Sequence, residues 1–187
     1  MIVAYPWTFS PTGIYTPPMG MKRGKRGKHD KRDALGMLDR SHVRLAERME
    51  QLASAVAAMT GGTATDDDRE SLDDVMHYLD RGAARHVADE EQSLFPRLRE
   101  HPDTEALLTR ITAEHRTHDD TLAALKRVVQ HLPAGTGMLS VIAADLAKQY
   151  RSHIELEEAE LIPMVKRLLS AEQLDDVRTE MRSRRGK

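Results

Sequence analysis

The sequence predicts an all-α protein: an antiparallel up-down four-helix bundle with a short fifth C-terminal helix and an irregular N-terminal arm. Three observations carry this. Apolar residues recur at helical spacing over four long stretches, while no stretch shows the strict alternation of a strand. The breaks between stretches are short, which makes successive helices antiparallel neighbours. The chain also writes one line twice, His86-Val-Ala-Asp-Glu90-Glu91-Gln-Ser-Leu94-Phe95-Pro96 and His153-Ile-Glu-Leu-Glu157-Glu158-Ala-Glu-Leu161-Ile162-Pro163, so the two halves repeat as helix pairs.

Residues 1–33 form the arm. Pro6, Pro11, Pro17 and Pro18 with Gly13 and Gly20 prevent regular structure there, and Lys22-Arg-Gly-Lys-Arg-Gly-Lys28 is a solvated basic run. Four of the seven aromatic residues, Tyr5, Trp7, Phe9 and Tyr15, fall in this arm. Freely solvated segments are poor in aromatics. The arm therefore reads either as a flexible extension or as a peptide docking on a second copy or a partner through residues 1–20.

Residues 34–169 form the bundle. Leu35, Leu38, Leu45, Met49, Leu52 and Val56 make the stripe of a first helix that ends near Gly61-Gly62. Thr65 and Asp66 offer an N-cap for a second helix through Leu72, Val75, Leu79, His86 and Leu94 to about Arg99, with Pro96 expected to kink or end it. The third helix follows His101-Pro102-Asp103 and runs through Leu107, Ile111, His115, Leu122, Leu125 and Val129 toward Pro133 and Gly135. The fourth begins near Met138 and passes Leu146, Tyr150, His153 and Leu161, with Pro163 near its end. In residues 170–187, Ser170-Ala-Glu-Gln173 fits the capping box of a short final helix. Met37, Met49, Met59, Met76 and Met164 read as core filler.

Composition narrows the function. With 187 residues, 40% hydrophobic and 31% charged, one domain with a substantial core is expected. A net charge of -2 gives no electrostatic case for nucleic acid or an anionic membrane as partner. The absence of cysteine excludes disulfides, thiolate ligands and Fe–S clusters. No apolar run approaches a membrane span, and the basic cluster follows the first apolar residues instead of preceding them, unlike a secretory signal. A cytoplasmic location is the expectation.

In H-x-x-x-E the glutamate lies about 40° round the helix from the histidine, so both point the same way. His42 on the first helix and His115 on the third add one imidazole each. Four imidazoles with Glu90 and Glu157 exceed what one tetrahedral zinc uses and suit two late first-row metals. The ferritin-like E-x-x-H motif does not occur in the chain.

These residues bring a family into view. The chain resembles the hemerythrin-like, HHE cation-binding bundles from about Ala34 to Leu169, on Asp39-Arg-Ser-His42, His86-x-x-x-Glu90-Glu91-x-x-Leu94-Phe95-Pro96, Glu114-His115 and His153-x-x-x-Glu157-Glu158. The resemblance implies a non-haem di-iron centre held by His42, His86, His115, His153, Glu90 and Glu157, the glutamates bridging and an oxo, hydroxo or water oxygen completing the bridge. It implies a small oxidant such as O2, H2O2 or NO as partner. Oxygen-carrying members have H-x-x-x-H on the third helix, where this chain has Asp119 at four and His118 at three. They have H-x-x-x-x-D on the fourth, where Glu157 at four and Glu158 at five compete. The pattern is closer to a four-His, two-Glu branch, which points away from reversible O2 carriage and toward a peroxidase- or catalase-like oxidoreductase that reduces or disproportionates the oxidant. A non-catalytic oxygen, iron or NO sensor or iron-handling module is the alternative.

The remaining polar residues stay open. His118 lies about 60° back from His115 on the wheel and is read as ligand, outer partner or exposed residue. Asp119 is an alternate ligand, and His118, Asp119 and Tyr150 are the catalytic candidates. Tyr150 either meets the bound oxidant or packs in the core. Glu91 and Glu158, about 140° from their histidines, are read as facing solvent or an outer partner. His77 should face outward, and His29, His101 and His131 read as surface residues.

Overall fold

The computed structural model describes residues 33–132 and 136–186; the arm with its aromatics and His29, and the Pro133–Gly135 loop, lie outside them. Helix α1 (Ala34–Thr60) starts where Asp33 Oδ1 accepts the Gly36 N–H at 2.6 Å, satisfying one of the free amides of the first turn. It closes at Gly61-Gly62, where Gly62 takes φ +70°, a conformation that favours glycine.

The second rod opens with α2 (Asp66–Tyr78), capped by Thr65 in a reciprocal box with Asp68. It continues through a π turn (Leu79–Ala83), α3 (Ala84–Asp89), a second π turn (Glu90–Leu94) and α4 (Phe95–Leu98). A 3-10 turn (Pro102–Thr104) leads into the third rod, α5 (Glu105–Val129). The fourth rod is α6 (Thr136–Leu156), a π turn (Glu157–Leu161) and α7 (Ile162–Leu168). Ser170 and Gln173 cap α8 (Ala171–Ser183). Among the described residues there is no strand.

The two prolines do not end their rods. Phe95 donates its N–H to the Glu90 carbonyl and Ile162 to that of Glu157, so the α-helical ladder already steps out of register just before Pro96 and Pro163. A residue without an N–H costs little at such a step. The rods run on to Leu98 and Leu168.

Packing places the site. One core joins the start of α1 (Leu35, Leu38), the end of the second rod (Leu94, Phe95, Leu98), the start of α5 (Leu108, Ile111) and the end of the fourth rod (Leu161, Val165), together with Val177 and Met181 of α8. Starts of rods one and three meeting ends of rods two and four is the signature of an antiparallel up-down bundle. A second core joins the opposite ends through Leu45, Leu52, Leu72, Val75, Leu125, Leu139 and Leu146. The methionines read as filler lie in or against these cores. Each fully buried leucine contributes about 1.5–3 kcal/mol. In every rod the stretch between the two cores carries buried polar side chains, among them His42, His86, Glu90, His115, His153 and Glu157.

Candidate metal centre

The six side chains that the sequence singles out meet in this middle layer, each between 0% and 4% exposed. The i,i+4 spacing acts within a rod: His86 Nε2 lies 3.3 Å from Glu90 Oε1, and His153 Nε2 lies 2.9 Å from Glu157 Oε1. The other contacts cross between rods. His42 Nε2 is 2.8 Å and His86 Nε2 3.7 Å from Glu157 Oε2, while His115 Nε2 is 3.2 Å from Glu90 Oε2. The imidazoles pair edge to face, His42 with His86 at 5.0 Å and His115 with His153 at 4.8 Å between ring centres.

The carboxylates therefore each span two places. One oxygen of Glu90 faces His86 and the other His115; one oxygen of Glu157 faces the His42–His86 pair and the other His153. Two groups of four donors result, His42, His86, Glu90, Glu157 and Glu90, His115, His153, Glu157, each with its ligand atoms within 4.8 Å of one another. Imidazole nitrogens and carboxylate oxygens at such separations form a site fit for a first-row metal.

A second observation tests that fit. Buried polar atoms normally find hydrogen bonds, yet among the described residues six of the ten that find none belong to this cluster: His86 Nδ1 and Nε2, both Glu90 oxygens, His115 Nε2 and Glu157 Oε1. Five of the six, all but the outward His86 Nδ1, face one another inside the cluster without hydrogen-bond geometry. Atoms left so in a dry interior are costly unless a cation joins them.

Outer carboxylates orient the rings. Glu91 Oε1 accepts from His115 Nδ1 at 2.7 Å, Glu114 Oε2 accepts from His153 Nδ1 at 3.0 Å, and Glu158 Oε1 lies 3.7 Å from His42 Nδ1. A proton fixed on Nδ1 turns the Nε2 lone pair inward. Glu91 and Glu158 thus take the outer-partner reading, and Glu114 joins them. Without a metal, protons balance the charge. Burial works against a charged ring, but the Glu157 and Glu158 contacts raise His42 to about 9. Against the same burial, the charge of adjacent Glu157 and the hydrogen bond to Glu114 raise His153 to about 10. His115 is also raised, by Glu90 against its burial. Burial would raise Glu157, but the His153 charge and the close approach of the His153, His42 and His86 rings hold it well below the carboxylate range.

His118 is buried, 4% exposed, with its ring 4.8 Å from that of His153 and 4.4 Å from that of Tyr150. Burial, then the charges of His153 and His115, lower it to about 3. It is not one of the six residues of the two donor groups. Tyr150 belongs to the second core; burial, then Asp119 and Tyr78, raise its phenol. Asp119 is exposed and so stands outside the buried cluster, and His77 and His131 are exposed as expected, with His101 half-buried.

Sequence reasoning assigned no role to Asp89, which is fully buried one position before Glu90, or to Ser93, Arg184 and Arg185, which surround it. The signal was present in the repeat. The second copy has Leu156 and Glu160 where the first has Asp89 and Ser93.

An antiparallel helical bundle with an interior imidazole–carboxylate site able to hold cations is the class that fold and geometry define. The chain matches the model of the hemerythrin HHE cation binding domain over residues 33–165, and it belongs to that family. No curated protein matches it as a relative. No helix among the described residues is long and apolar enough to cross a membrane.

Proposed function

We propose that the chain is a non-haem di-iron protein that reduces or disproportionates a small oxidant, H2O2 or O2. The observation that carries this reading is the sharing of Glu90 and Glu157 between two adjacent donor groups, which fits a pair of bridged ions better than one. His42 and His86 would hold one ion, His115 and His153 the other. When bound, the ions supply Lewis acidity and electrons that no side chain of the cluster has.

The residues of the chain do the rest. Glu91, Glu114 and Glu158 keep protons on outer nitrogens of their imidazoles and so keep the inner ones free to bind. Two apolar cores above and below the layer exclude water. Four histidines and two carboxylates leave coordination positions open for a small molecule, since first-row iron accommodates more donors than these supply per ion. The Tyr150 phenol holds its proton at Oη over the working pH range, and His118 stays neutral beside it.

One observation favours the non-catalytic alternative, a sensor or iron-handling module. With His118 lowered to about 3 and Tyr150 raised, neither residue exchanges a proton near neutral pH, and turnover of peroxide requires protons.

Metal content and the absorption spectrum of iron-loaded protein, before and after peroxide, test both readings. About two irons per chain, with near-ultraviolet bands that respond to peroxide and measurable peroxide consumption, is the expected result. The same iron content without consumption selects the sensor. Zero or one metal per chain, or zinc alone with a silent spectrum, overturns the di-iron reading.

A further inference from the structure

Among the described residues, Asp89 is the one buried carboxylate that pairs with arginines instead of with the four histidines. It is 0% exposed, closes α3, and precedes the π turn that begins with Glu90. Its charge is met from the far end of the chain: Arg184 Nη1 lies 3.0 Å from Oδ1 and Arg185 Nη2 2.5 Å from Oδ2. Arg184 reaches further, donating from Nη2 to Ser93 Oγ at 2.8 Å. The same π turn is gripped from below, where Arg97 Nη1 donates to the Ser93 carbonyl at 2.7 Å while its Nη2 pairs with Glu180 of α8 at 2.8 Å. Val177 and Met181 seat α8 in the core alongside.

A π turn carries one residue more than the α-helical turn it replaces, so the side chains before and after it are out of helical phase by about 100°. Glu90 stands at that step. His86, before it, is set by the second core, and Leu94 and Phe95, after it, by the first. Where the Glu90 carboxylate falls between them depends on how residues 89–93 are held. The fourth rod has the same turn at Glu157–Leu161, and there the residue matching Asp89 is Leu156, anchored by burial in the first core.

We propose that Arg184 and Arg185 are positioning residues for the metal centre: by clamping Asp89 and Ser93, the end of α8 holds the 90–94 turn so that Glu90 presents one oxygen to each donor group. The inference rests on the metal reading above. It makes the C-terminal helix part of the centre through Asp89 and Ser93.

The test titrates the metal-free full chain with Co(II), following the visible d–d bands, alongside its melting temperature. Four chains are compared: the parent, R184A/R185A, R184K/R185K and the charge control R182A, Arg182 being exposed. The alanine pair is expected to weaken Co(II) about 10–100-fold, the effect typical of losing an outer support, and to alter the band shape. The lysine pair, which restores charge without the planar fork, is expected to recover affinity in part, and R182A to match the parent. A lowered melting temperature with parental affinity and spectrum would overturn the proposal, showing α8 to be a structural brace only. If R184A/R185A does not fold, S93A and the lysine pair decide in its place, and parental spectra in both overturn the proposal equally. A parent chain that binds no Co(II) and no iron would sink the metal reading itself, an outcome distinct from the first.

Discussion

The two copies of the repeated line share a backbone and differ in their neighbours. Each has an inward histidine, a glutamate one turn on, a π turn from that glutamate and a proline two residues after the turn. The bundle has an approximate two-fold relation between its halves, and the contacts obey it: Glu91 reaches His115 on the third rod as Glu158 approaches His42 on the first. Where the copies diverge, the surroundings diverge with them. Asp89 meets the arginines just past α8 and Leu156 meets the core; Phe95 is fully buried where Ile162 is partly so. The repeated line supplies four of the six donors, and its unequal positions fit them into a bundle that α8 packs against on one side.

The shared glutamates give the largest predicted effect. Because each serves both donor groups, Glu90→Ala and Glu157→Ala should each reduce bound metal to less than one ion per chain, while His86→Ala removes a donor from one group and should leave about one. Metal analysis of the three variants distinguishes a shared centre from two independent sites. Equal loss in all three would break the argument for sharing.

The outer carboxylates come next. Removing an outer partner typically costs about 10–100-fold in metal affinity. Glu91→Ala should fall in that range and Glu158→Ala below it, because the contact is 2.7 Å in one copy and 3.7 Å in the other. Metal titrations of the two single variants rank them. The reverse order would show that the longer contact closes on binding.

Much of this was legible beforehand. The 3.6-residue periodicity located all four rods, and the H-x-x-x-E spacing brought His86, Glu90, His153 and Glu157 onto inner faces, with His42 and His115 added from the first and third rods. The π turns were not legible, since local sequence scarcely distinguishes them from α-helix and tertiary contacts decide them. For the same reason a regular wheel put Glu91 and Glu158 in roughly the right sector without naming His115 and His42 as their partners. The clamp on Asp89 was hidden more deeply. Its two ends lie 95 and 96 residues apart, and no spacing rule joins a buried aspartate to arginines past the end of a distant helix.

Stability should separate the copies in the first core. Phe95→Ala is expected to cost about 3–5 kcal/mol, the usual price of a fully buried aromatic. Ile162→Ala should cost less, as that side chain is only partly buried. Chemical denaturation of both variants checks the ranking.

The metal-free chain should respond to pH in a direction fixed by its histidines. His42 at about 9 and His153 at about 10 are raised above the unfolded value of about 6.5. Their protons stabilise the fold fully below about pH 6.5, and that stabilisation is lost as pH rises through 9 to 10. His118, lowered to about 3, acts oppositely and only on the acid side, below about 6.5, where the unfolded chain takes up a proton that the native state refuses. The melting temperature of chelated protein should therefore fall between pH 7 and pH 10, and iron-loaded protein, in which protons have given way to metal, should hold its value further. A flat chelated curve would mean that the imidazoles of the empty cluster are neutral.

The smallest expected effect addresses one inequality directly. His153 has its Nδ1 held by Glu114, the residue before His115, but His86 Nδ1 is buried without a partner. The residue before His42 is Ser41, whose hydroxyl donates to the Met37 carbonyl instead. If the halves are related as their contacts indicate, a carboxylate at position 41 faces His86 as Glu114 faces His153. Ser41→Glu should then tighten metal binding a few-fold by fixing the proton of His86 on Nδ1, and Glu114→Ser should weaken it by loosening His153. Metal titration of the exchanged pair reads both. Tightening by the first and weakening by the second would extend the two-fold relation to the outer carboxylates, whereas loss in both would confine it to the donors, with the Arg40 side of the first rod following rules of its own.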